Sequence, residues 1–122
     1  MDEKRVRRSG LLRTIDGAHQ VLPGVRTRHL QGQTPGHQAI EVVEGGASLL
    51  LWDDAINHTA QLRQPGLATG PTTTSRSPCG RRRLLGELVD SGRVLAPPHF
   101  AEPFGRLVSE GPSGGIAWLP MA

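Results

Sequence analysis

Three side chains able to bind a divalent ion or move a proton stand in predicted loops at strand ends: His37 in "TPGHQ", Asp54 in "LLLWDDAINH" and His99 in "LAPPHFAEPFGR". Imidazole and carboxylate are the donors that suit zinc or a similar ion. Loops at strand ends can converge on one sheet edge, and Pro35-Gly36 gives a stiff turn that would aim the His37 ring. Taken singly, each residue has a plainer reading. A loop histidine is commonly a surface residue, and Asp53-Asp54 can serve as capping charges for the helix that follows.

The elements that would position these residues are readable in the chain. Within "GLLRTIDGAHQVLPGVRTRHL", Asp16-Gly17 and Pro23-Gly24 mark turns between short extended pieces. Val25, Thr27 and His29 should share one strand face, with Arg26, Arg28 and Leu30 on the other. "HQAIEVVEGG" and "ASLLLWDDA" read as a hairpin joined at Gly45-Gly46. The run Leu49 to Trp52 is continuously apolar, the pattern of a strand covered on both faces. Ala55 to Arg63 should form a short helix or loop. Gln64 to Gly80, "QPGLATGPTTTSRSPCG", should be a loose loop, long for a compact domain. Arg81 to Ser91 predicts a helix with Leu84, Leu85 and Leu88 on one stripe and Gly92 at its end. "RVLAP" then gives a short strand stopped by Pro97-Pro98, and "GRLVSEGPSGGIAWLP" a final hairpin.

A chain of 122 residues has room for one domain. The core should be thin, because only four aromatic side chains are available and 16 Gly with 10 Pro raise the loop content. Of the 14 basic residues 13 are Arg. Arg81 to Arg83 and the run Lys4, Arg5, Arg7, Arg8 could meet phosphates, but they lack the interleaved aromatics of a single-strand binder, so nucleic acid is not the favoured partner. Cys79 stands alone and can form no internal disulfide. No stretch approaches the ~20 apolar residues of a membrane span. A cytoplasmic protein with a frayed, disordered tail over 1–10 and one domain over 11–122 is the expectation.

Taken in order, "TPGHQ", a strand hairpin, "LLLWDDAINH", a helix and "LAPPHFAEPFGR" resemble the C-terminal half of metallo-beta-lactamase-fold hydrolases, from Gly10 to the end of the chain, most poorly over 65–80. The resemblance implies an α/β fold: half of an αββα sandwich, a mixed sheet with one or two covering helices. It makes His37 a ligand of one metal, Asp54 the carboxylate bridging two, and His99 a ligand of the second. Zinc, as one or two ions, is the implied cofactor. His58, four residues after Asp54, can orient a ligand or touch substrate; a solvent-facing helix residue is the plainer reading. Asp53 stands where the family usually has Gly, and Gln33 where relatives often have another His. In a complete relative the metal pair would lower the pKa of a bound water and attack a small-molecule ester, lactone, amide or phosphoester.

The family's upstream His-x-His-x-Asp-His motif has no counterpart, since His19 and His29 alone precede His37. Three ligands divided between two metal positions leave each ion undercoordinated. The expectation is a truncated domain, or a reading frame that slips across 65–80, which the genomic DNA would decide. Two functions compete: a metal-dependent hydrolase domain, and a non-catalytic half-domain that associates with itself or another chain through a bare apolar sheet face.

Overall fold

Gly45 and Gly46 both take positive φ, 54° and 82°, the backbone of a tight hairpin turn. Strand β3 (Gln38–Glu44) accordingly doubles back into β4 (Ala47–Leu51), with Glu44 opposite Ala47 and Ile40 opposite Leu51. The computed structural model describes residues 2–30, 36–67 and 78–121, with Pro78 and Cys79 as backbone only. Before β3 come β1 (Gln20–Leu22) and β2 (Val25–His29), paired antiparallel across the Pro23-Gly24 turn. After β4 come a 3-10 turn at Asp53–Ala55, helix α2 (Ala60–Arg63), helix α3 (Pro78–Leu88) and the short β5 (Val94–Leu95). The hairpin of β6 (Gly105–Glu110) and β7 (Gly115–Pro120) closes the chain, turning through a 3-10 segment at Gly111–Ser113 and a left-handed Gly114.

These strands form one seven-stranded sheet in chain order, and the one parallel pairing is β4 with β5, across α3. Helix α3 begins at Pro78, three residues before the expected Arg81, because proline suits a first helical position. Its leucine stripe is as expected: Leu84, Leu85 and Leu88 are buried against Leu50, Leu95 and Leu107 of the sheet. Of the stretch expected as a loose loop, residues 68–77 lie outside the described residues, while Gln64 to Leu67 form a hydrogen-bonded turn. The charged segment expected as a frayed tail instead carries a short helix, α1 (Glu3–Arg8), none of it buried. Asp2 caps it by accepting from Lys4 N at 3.0 Å, and Glu3 pairs with Arg7 one turn on at 2.9 Å.

Among the described residues the helices cover one face of the sheet, and on the other the segment 17–19 covers Thr27. Cross-strand register places Ala39, Leu50, Leu95 and Leu107 beneath the helices, and they are 0 to 1% exposed. Glu41 shares that face and is buried between Arg26 (2.7 Å) and Arg93 (3.2 Å). The alternate residues point the other way, and Ile40 and Leu119 there are 43% and 50% exposed. The Leu49–Trp52 run is therefore covered on one side and not on both as its continuous apolarity suggested. Leu50 and Trp52 are fully buried, whereas Leu49 and Leu51 look out from a face with no second layer among the described residues. No helix of the described residues is long and apolar enough to cross a membrane.

Candidate active site at the strand ends

Trp52 follows β4 directly and Phe100 follows the Pro97-Pro98 stop, and their rings meet edge to face at 5.6 Å. Trp118 of β7 completes the cluster, 5.1 Å from Phe100 and 6.5 Å from Trp52. Gly105 makes room for it, since a Cβ there would lie 2.6 Å from Trp118 Cη2 and from Leu119 O. Anchored this way, the loop after Trp52 and the loop before Phe100 must lie side by side. Asp54 Oδ1 and His99 Nε2 meet at 2.6 Å as a result.

His37 is held from the other side. Its carbonyl accepts from Leu30 N at 2.9 Å, and its Nδ1 stands 3.2 Å from Leu30 O, so Nδ1 carries the hydrogen it donates there. In a neutral ring this tautomer leaves the lone pair on Nε2. Nε2 is buried without a hydrogen-bond partner, 3.4 Å from Asp53 Oδ2. A histidine fixed through Nδ1 to a backbone carbonyl, with a bare Nε2, has the form of a metal-ligating imidazole. Asp53 itself sits at φ 51°, in the left-handed region that favours glycine and tolerates aspartate.

His37, Asp53, Asp54 and His99 are thus brought to one sheet edge, but as two pairs. Among the described residues no three His, Cys, Asp or Glu side chains lie close enough to hold an ion. The donors present have the right chemistry and the wrong number for a resident metal. Pro35, expected to stiffen the turn before His37, and Gln33 fall outside the described residues. His58 Nδ1 accepts from Ala60 N at 3.0 Å, at the start of α2. It also borders, with Arg63, His99, Phe100 and Trp118, a hollow of about 700 Å³ between α2 and β7. A second hollow, about 190 Å³ and almost wholly apolar, opens on the bare sheet face beside Asp53, lined by Ile40, Leu51, Ala96 and Pro98.

Two positioning residues carry no signal in the sequence. Gln61 is fully buried: its Oε1 accepts from Asn57 N (2.7 Å) and His58 N (3.3 Å), and its Nε2 donates to Leu67 O (2.9 Å). Arg81, read from sequence as part of a basic cluster, donates to Ala55 O at 2.9 Å and to Pro65 O, pinning the segment after the aspartates to α3.

No family model matches this chain, and no curated protein matches it. Solved structures do. The hydrolase AbOPH of the beta-lactamase superfamily is similar over 84% of this chain and 36% of its own, at 24% identity and TM-score 0.72. AidC, a dizinc quorum-quenching lactonase, is similar over 98% of this chain and 45% of its own, at 16% identity and TM-score 0.77. A probable metal-dependent hydrolase from Staphylococcus aureus is similar over 93% and 41%, at 17% identity and TM-score 0.65. The chain spans less than half the length of each. Its mixed sheet, one-sided helices and these likenesses make it an α/β chain with the metallo-beta-lactamase fold, corresponding to a C-terminal half of it.

Proposed function

We propose that this chain supplies part of the hydrolytic site of a metal-dependent hydrolase acting on a small-molecule ester, lactone, amide or phosphoester. The observation that carries this reading is His37, whose Nδ1 is tied to Leu30 O and whose buried Nε2 makes no hydrogen bond and faces Asp53 Oδ2 at 3.4 Å, as suits an imidazole set beside a carboxylate to bind an electrophile. Asp54 and His99, on the loops after β4 and β5, are the further ligand positions. Their ion pair is weak support for stability: side-chain exposures of 36% and 48% place it where such pairs contribute about 0 to 1 kcal/mol. A role in binding accounts for its 2.6 Å geometry better than a role in folding. His58 and Arg63, at the mouth of the larger hollow, would meet the substrate.

With donors for only part of a coordination shell, the isolated chain should bind zinc far more weakly than a closed three- or four-ligand site and should hydrolyse nothing measurable. Zinc titration followed by calorimetry and circular dichroism tests this. A weak zinc-dependent signal is expected, reduced at least about tenfold in affinity by His37→Ala or His99→Ala, with unfolding free energy changed by less than about 1 kcal/mol in His99→Ala. Zinc binding that is the same in wild type and both variants would exclude these residues as ligands.

A second reading is favoured by a specific feature. The sheet face opposite the helices exposes Ile40 and Leu119 and carries an apolar hollow, which suits a half-domain that associates with another chain.

A further inference from the structure

We infer that Asp53, and not Asp54, is the carboxylate that shares an ion with His37. This assignment rests on His37 being a metal ligand, as proposed above, and it departs from the family resemblance, which gives the carboxylate role to Asp54. The two histidine–carboxylate pairs at the strand ends are spaced differently. His99 Nε2 and Asp54 Oδ1 lie 2.6 Å apart and are hydrogen-bonded to each other, so an ion can enter between them only by displacing the hydrogen they share. His37 Nε2 and Asp53 Oδ2 lie 3.4 Å apart, and Nε2 makes no hydrogen bond. Neither of these two atoms is spent on the other.

The wider spacing is the one that two ligands of a tetrahedral ion adopt. Zinc holds an imidazole nitrogen at about 2.0 to 2.1 Å and a carboxylate oxygen at about 2.0 to 2.2 Å, and tetrahedral angles then set the two donors about 3.3 to 3.5 Å apart. An octahedral magnesium ion, with donors at about 2.0 to 2.1 Å, would set neighbouring donors about 2.8 to 3.0 Å apart. The 3.4 Å between His37 and Asp53 therefore suits zinc and not magnesium. Two further features agree with a binding role. The His37 side chain is only 7% exposed and is tied through Nδ1 to Leu30 O, which holds the ring in place before any ion arrives. Asp53 is kept at φ 51°, a strained backbone for a residue with a Cβ, and strain of that kind gathers at binding sites. Two protein donors make half of a coordination shell, so the ion is held weakly.

Zinc titration of the whole chain, read at each histidine by NMR of the imidazole ring nitrogens, tests the assignment, with circular dichroism to verify that every variant is folded. In the wild type the His37 Nε2 signal should move as zinc is added, while Nδ1 keeps its hydrogen. Asp53→Asn keeps the side-chain shape and tolerates the left-handed backbone, and Asp53→Gly relieves that backbone altogether. Each should raise the zinc concentration that moves the His37 signal at least about tenfold and leave the His99 response as it is in the wild type. Magnesium at the same concentrations should leave His37 unmoved. A His37 response that both Asp53 variants leave unchanged, or that Asp54→Asn weakens more than Asp53→Asn does, would overturn the assignment while keeping His37 as a ligand. Magnesium acting on His37 as strongly as zinc would overturn it as well. A His37 ring that ignores zinc in the wild type would instead end the ligand reading of His37 itself, and the assignment with it.

Discussion

Asp53 and Asp54 are adjacent in the chain yet divide between two histidines, Asp53 facing His37 at 3.4 Å and Asp54 facing His99 at 2.6 Å. A 3-10 turn starting at a left-handed residue makes this possible, because it swings successive side chains to different sides. The conformation carries strain for any residue with a Cβ, smallest for aspartate and asparagine. Asp53→Gly should therefore raise the unfolding free energy by about 0.5 to 1 kcal/mol, since the carboxylate it removes is 62% exposed and makes no hydrogen bond to His37. Urea denaturation reads the change; a loss larger than about 1 kcal/mol would show that the His37 contact outweighs the backbone strain. The sequence placed His37, Asp54 and His99 in loops at strand ends, and the structure puts them there. Nothing in residue types alone disclosed that Asp53, not Asp54, would face His37.

At the level of elements, local chemistry was the legible part. The Gly45-Gly46 turn, the leucine stripe of α3 and the opposite facing of Val25 and Arg26 follow from short-range rules and appear as expected. Contacts between distant segments were not legible: Trp52 with Phe100, Arg81 with Ala55 O, and the buried Gln61 that ties two loops together. Gln61 looks in sequence like any polar helix residue, and only its burial reveals that both ends of its amide are satisfied. Gln61→Leu removes those partners and leaves Asn57 N without its acceptor, while Leu67 O keeps Arg81 Nη1 at 3.3 Å; the orphaned amide should cost about 1 to 3 kcal/mol. The thermal midpoint should fall accordingly, and the zinc response should weaken with it because the loop carrying Asp54 is no longer tied down. An unchanged midpoint would mean that water replaces the amide without loss.

For the whole molecule, the acid limb of stability is set by carboxylates tied on the helix side and at the far strand ends. The hydrogen bond from Arg28 holds Glu87 below its ordinary range, with the charges of Arg28, Arg93 and Arg83 adding to the effect and desolvation opposing it. Asp90 is lowered by hydrogen bonds from Ser109. A carboxylate lowered in the folded state contributes stability that is present above its unfolded pKa and lost as pH falls through the folded value. Urea midpoints should accordingly fall between about pH 5 and about pH 3, less steeply in Glu87→Gln, with the difference kept small by solvent screening. An identical acid limb in the variant would show that Arg28 gains nothing from Glu87 in the native state.

The sheet keeps its strands in the order in which the chain presents them. Nearly every ladder can therefore zip from a turn, β1 through β4 as one meander and β6 with β7 as a hairpin, with little loop entropy to overcome. The exception is the seam where Leu49 and Leu50 lie beside Val94 and Leu95, the one pairing that must wait for α3 to bridge it. Folding speed should therefore be governed at that seam, with two early-forming blocks that exchange their amide hydrogens independently before it closes.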